Sequence, residues 1–174
     1  MTEEKKEKWT QWVALTTIIF AVCAAISTLK GGGNSTRAQL TTTIEANKWS
    51  YFQSKSIKQH ASEVEVDILK LFSITDNQAT RDSALKTLAA VEADVARYDK
   101  EKNDAKTEAE GLEKTIEEYK EHSASFGMAS MLLQLSIMLC GISAILKKKL
   151  SWYIGMISGA IGIAYMTNGF WLWF

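Results

Sequence analysis

Apolar and charged residues occupy separate blocks along this chain. Residues 9–29, 124–146 and 150–174 contain no Asp, Glu, Lys or Arg, so all 40 such side chains lie in the remainder. Each uncharged block can cross about 30 Å of hydrocarbon, which takes about 20 helical residues. The pattern predicts three transmembrane helices over 9–29, 124–146 and 150–174, with a tail at 1–8, a charged region at 30–123 and a turn at 147–149. The first block exceeds the apolar run of about 7–15 residues usual in a signal peptide, so an uncleaved anchor is expected.

Within the charged region the pattern changes to a helical one. Ala84, Leu88, Val91, Val95, Tyr98, Lys102, Ala105, Ala109, Leu112, Ile116, Tyr119, Ser123 and Phe126 recur at alternating steps of four and three. That is a heptad seam, interrupted mainly by Lys102. It runs without a breaker into the second uncharged block, so one helix is expected from about 77 through 123 and on through the span at 124–146. A preceding helix is predicted at about 35–72, capped by Asn34 or Ser35, with a turn at Ser73-Ile74-Thr75-Asp76-Asn77. Gly31-Gly32-Gly33 reads as a flexible joint before it. The fold class is therefore all-α and membrane-integral, with three spans and a long antiparallel coiled-coil hairpin.

The first helix of that hairpin has two apolar faces. Leu40, Ile44 and Tyr51, continued by Ile57, Ala61, Val64, Ile68 and Leu71, are expected to lie against the second helix. Trp49 and Phe52 fall off this stripe, because five helical residues rotate by about 140°. They would then face water unless covered by a second copy. Arg37, Lys48, Lys55 and Lys58 are expected opposite Glu110, Glu113, Glu117, Glu118 and Glu121 in an antiparallel pairing.

Composition sharpens this picture in three ways. The chain of 174 residues has no proline, as uninterrupted helices require. Its 20 basic and 20 acidic residues balance, which argues against a nucleic-acid partner. Its two cysteines, Cys23 and Cys140, both fall in spans and make neither a disulfide framework nor a metal site.

Lysine placement gives an orientation. Lys5, Lys6 and Lys8 precede the first span, and Lys147, Lys148 and Lys149 form the second turn. Positive charge in short loops stays in the cytoplasm. The expectation is an inside N-terminus, an outside hairpin and an outside C-terminus. In the third span Gly155, Gly159 and Gly162 form a small-residue face suited to close helix packing. Gln134 and Asn168 are expected to hydrogen-bond between helices, and residues 170–174 to anchor at the interface.

The stretch Trp49-Ser-Tyr-Phe-Gln-Ser-Lys-Ser-Ile-Lys-Gln-His60 resembles a family of bacterial membrane proteins catalogued as domain of unknown function 4337. The resemblance extends over nearly the whole chain. It implies a bacterial inner-membrane location, and with the lysine pattern a periplasmic hairpin. It implies no known activity and carries no functional residues.

Searched for chemistry, the sequence offers little. Trp49, Phe52 and Ser56 share a face near Gln53, Lys55 and His60, which reads as an oligomer interface or, alternatively, a partner groove. His60 with Glu63, and Glu118 with His122, are too few and too far apart for a metal site; both histidines are expected to be exposed. No nucleophile–base constellation or phosphate loop is present. The expectation is a non-enzymatic protein without cofactor or catalytic residues, in contact with membrane lipid and assembled as a homo-oligomer. Trp49, Phe52, Ser56, His60, Gly155, Gly159 and Gly162 would form the interface, and Leu88, Val91, Val95, Tyr98, Leu112, Ile116 and Tyr119 the hairpin seam. A scaffold, or contact with another envelope protein, would be its role; an oligomeric pore or transport-accessory subunit is the alternative.

Overall fold

The computed structural model describes residues 2–173, with side chains from Trp9 onward. The expected roles of the Lys5, Lys6 and Lys8 side chains and of Phe174 lie outside these. Three helices account for the fold: α1 (Thr2–Ser73), α2 (Gln78–Leu146) and α3 (Lys149–Trp171). There is no strand among the described residues, and α1 and α2 pack as a hairpin. Each helix contains a segment long and apolar enough to cross a membrane.

The turns follow from local chemistry. After α1, Ile74 and Thr75 donate to the carbonyls of Leu71 and Phe72 at 3.4 and 3.3 Å, tightening the last turn. Asn77 then caps α2: its Oδ1 accepts from the backbone N–H of Ala79 at 3.1 Å and of Thr80 at 3.3 Å. Between α2 and α3, Lys147 adopts a positive φ of 51°, and the Ser143 hydroxyl donates to the Lys148 carbonyl at 2.8 Å.

The predicted joint at Gly31-Gly32-Gly33 is not a break, and no new helix starts near Ser35; α1 is one helix throughout. Three glycines cost helix propensity, about 1 kcal/mol each. Gly31 offsets this by close packing. A Cβ there would stand 3.1 Å from that of Phe126, and the Ser123 hydroxyl donates to the Gly31 carbonyl at 3.0 Å.

The chain divides into two compact units. The first comprises residues 1–39 and 116–174. Its interior contains small and polar residues as well as large ones: Ser27, Ser136, Ser143 and Asn168 are buried beside Phe20, Phe126, Leu133 and Cys140. Its exterior carries large apolar side chains such as Trp12, Ile18, Met131, Met138 and Ile157. Small and polar residues in the interior beside a few large ones, with many large apolar side chains outside, is an arrangement compatible with hydrocarbon, where close backbone packing matters more than the hydrophobic effect.

The second unit comprises residues 40–115. In it, Ala84, Leu88, Val91, Val95, Tyr98, Lys102, Ala105, Ala109 and Leu112 are all buried or half-buried on α2. On α1 the inner positions are Thr41, Glu45, Lys48, Phe52, Lys55, Gln59, Ser62, Val66, Leu69 and Ser73, again at alternating three- and four-residue steps. This exchanges the two faces expected for α1. Phe52 is half-buried on the inner seam and Trp49 half-buried at its flank, whereas the stripe through Ile57, Val64, Ile68 and Leu71 is 70, 47, 48 and 71% exposed. The physical reason is pairing: the inner positions of α1 carry the cations and amides that meet acids on α2.

Candidate interaction surfaces

The hairpin seam is a polar lock between an apolar strip on α2 and a mixed strip on α1. Lys48 pairs with Glu108, and Lys55 Nζ lies 2.5 Å from Glu101 Oε2. The two pairs are one heptad apart on each helix, running in opposite directions, which defines an antiparallel register. The acids are Glu101 and Glu108, not the cluster from Glu110 to Glu121 that the charge pattern suggested.

Aromatic and amide groups surround the Lys55 pair. Its ammonium sits 5.0 Å from the Tyr51 ring centre and 5.3 Å from that of Tyr98, in cation–π geometry. The Tyr51 hydroxyl donates to Glu101 at 3.4 Å. One turn on, Lys102 Nζ donates to Gln59 Oε1 at 2.7 Å and contacts Asp99 at 3.1 Å. Lys102, which interrupts the apolar seam in sequence, thus also reaches across, from α2 to α1. The Glu101 carboxylate holds the Lys55 pKa above its ordinary value, mainly through their hydrogen bond. By the same bond Lys55 holds Glu101 below the usual carboxylate value. Both shifts favour the charged forms. The pair has the character of a register clamp, not of an acid–base couple poised near neutrality.

The sequence-selected residues divide between two environments. Trp49 donates through Nε1 to Glu45 at 3.1 Å and meets Phe52 edge-on, with ring centres 5.5 Å apart. Trp49, Phe52 and Ser56 are half-buried, while His60 is exposed, 3.6 Å from Glu63. His122 is not exposed as expected: it is half-buried, and its Nδ1 lies 2.8 Å from the Gly169 carbonyl. Among the described residues no group of three or more metal-ligating side chains forms.

The glycine face of α3 is occupied within the chain itself. A Cβ on Gly155 would meet the Ser136 carbonyl and Leu139 at 3.3 Å; on Gly162, the Leu133 side chain at 2.9 Å. A Cβ on Gly159 would overlap the Phe20 ring. These glycines therefore bring α3 onto α1 and α2, and their proposed place in an interface between copies is corrected accordingly. Asn168 fulfils the interhelical expectation, donating to Ser125 at 3.2 Å. Gln134 instead donates within α2 to Ser130 at 3.0 Å, and Ser130 meets Thr28 of α1 at 2.7 Å.

What remains open is the back of α1 in the second unit. Leu40, Ile57, Val64, Ile68 and Leu71 are exposed there, and no charged residue interrupts their stripe. The apolar periodicity was visible in sequence, but not which side it faced. No curated protein and no solved structure matches the chain. The family described as Domain of unknown function (DUF4337) matches residues 9–172, nearly the whole sequence, and the chain belongs to that family.

Proposed function

We propose that this protein is a non-enzymatic membrane scaffold that assembles through its helical hairpin. The observation that carries the reading is the exposed, charge-free apolar stripe on α1 in a unit otherwise rich in charge. A surface of that kind in water is a binding surface. The three long apolar helices support anchorage in a membrane. Lys147, Lys148 and Lys149 in the short turn support a cytoplasmic position for that turn and hence a periplasmic hairpin, in the inner membrane of a bacterium. The packing of α3 against α1 and α2 supports a preformed three-helix anchor in each copy.

The test is the mass of the particle in mild detergent, by light scattering corrected for bound detergent. Assembly predicts a protein mass that is a multiple of 19.4 kDa. A particle holding one chain at concentrations matching those in the membrane would overturn the reading.

A further inference from the structure

We infer that the occupant of the exposed α1 stripe is the same stripe of a second copy, with the two α1 helices parallel and in register. This rests on the self-assembly reading and specifies its surface. From Leu40 every seventh residue as far as Ile68, together with the residue three further on, is exposed and uncharged. These are the a and d positions of a second heptad, on the side of α1 turned away from α2. Ile57, Val64, Ile68 and Leu71 supply its apolar half, and Asn47 occupies an a position.

Charge placement favours a copy of the same chain over a foreign partner. Residues 40–73 carry eight Asp, Glu, Lys or Arg, and none falls at an a or d position. Residues 78–115 carry 16, and the back of α2 is interrupted by Lys86, Lys100, Glu110 and Lys114. Parallel, in-register pairing brings each g position beside the e position five residues on in the partner. That sets Gln53 beside Lys58, His60 beside Glu65 and Asp67 beside Phe72, with no like charges opposed. It also sets Asn47 against Asn47, where a buried amide pair fixes both register and direction. Two copies inserted the same way round in one membrane have α1 running in one direction, which antiparallel pairing would violate.

Single cysteines test this in membranes, in a Cys23→Ala, Cys140→Ala background. Oxidation should link chains carrying Ile57→Cys or Val64→Cys, but not chains carrying Lys114→Cys on the back of α2. Separately, Ile68→Glu in the unaltered chain should reduce the detergent particle to one chain, with helix content retained. Oligomer mass retained in Ile68→Glu, or linkage at Lys114→Cys in place of the α1 sites, would overturn this surface while leaving self-assembly standing. Stronger linkage between Ile57→Cys and Leu71→Cys chains mixed together than within either alone would overturn the register. A one-chain mass for the unaltered protein would overturn both readings.

Discussion

The ring of Phe20 in α1 occupies the space that a Cβ on Gly159 of α3 would need. The glycine is what allows the third helix to seat an aromatic side chain of the first against its backbone. Phe20 is correspondingly only 4% exposed and belongs to the buried cluster with Val13, Ala24, Leu133 and Cys140.

Gly159→Ala should therefore destabilise the first packed unit, by about 1–3 kcal/mol as overpacking in a tight core does. Gly141→Ala is the matched control, because a Cβ there meets nothing within 4 Å. It should change stability by no more than about 1 kcal/mol, the size of the helix-propensity difference. Denaturation in mixed micelles checks both. Equal effects at the two positions would mean that Phe20 does not seat on Gly159.

How much of this was legible depended on where the apolar residues lay. The seam of α2 was readable because Leu88, Val91, Val95 and Leu112 announce it by size. The seam of α1 was not, because Lys48, Lys55, Gln59 and Ser62 occupy it while Ile57, Val64, Ile68 and Leu71 sit outside. Hydrophobic periodicity locates a face but does not say what covers it. A helix whose inner face mixes ion pairs and amides with a few apolar residues such as Phe52, Val66 and Leu69, and whose outer stripe is apolar, inverts the usual inference. The glycines were ambiguous in the same way: Gly155, Gly159 and Gly162 signalled close packing, and only the structure identified the neighbours as α1 and α2.

Glycines at the former joint give a direct check on the continuity of α1. A Cβ on Gly33 would meet nothing within 4 Å, and the residue is helical. Gly33→Ala should stabilise the protein by about 0.5–1 kcal/mol, the usual penalty for glycine inside a helix. Gly32→Pro should cost about 3 kcal/mol or more by removing a helical hydrogen bond and crowding the preceding turn. A flexible linker would be nearly indifferent to both changes. Helix content and unfolding midpoints of the two variants distinguish the cases.

In the turn between α1 and α2, Asn77 caps the second helix. Its side chain satisfies the N–H groups of Ala79 and Thr80, two donors that the first turn of α2 cannot pair internally. Asn77→Ala should cost about 0.5–2 kcal/mol, and Asn77→Asp much less, because both Asn and Asp cap well. Hydrogen exchange at residues 79–81 should accelerate in the alanine variant. Unchanged exchange there would show that the cap does not hold the turn.

The Lys55–Glu101 clamp makes the stability of the hairpin depend on pH at both ends. Glu101 has its pKa lowered by folding, so its contribution is present above the unfolded carboxylate value and is lost as pH falls through the lower, folded value. Lys55 has its pKa raised, so its contribution is present below the unfolded lysine value and is lost as pH rises through the higher, folded one. Between the two, the pair stabilises the hairpin across the whole neutral range. The unaltered chain should thus unfold at a higher temperature than Glu101→Gln at neutral pH, with the difference closing as pH falls through the lowered, folded carboxylate value. Lys55→Met should show the same closing difference, and the double variant little more than either single one, because both remove one interaction. Salt should narrow the gap at neutral pH, since the pair is only partly shielded from water. A difference between the unaltered chain and Glu101→Gln that does not close as the carboxylate is protonated in acid would mean that the carboxylate is not what stabilises this register.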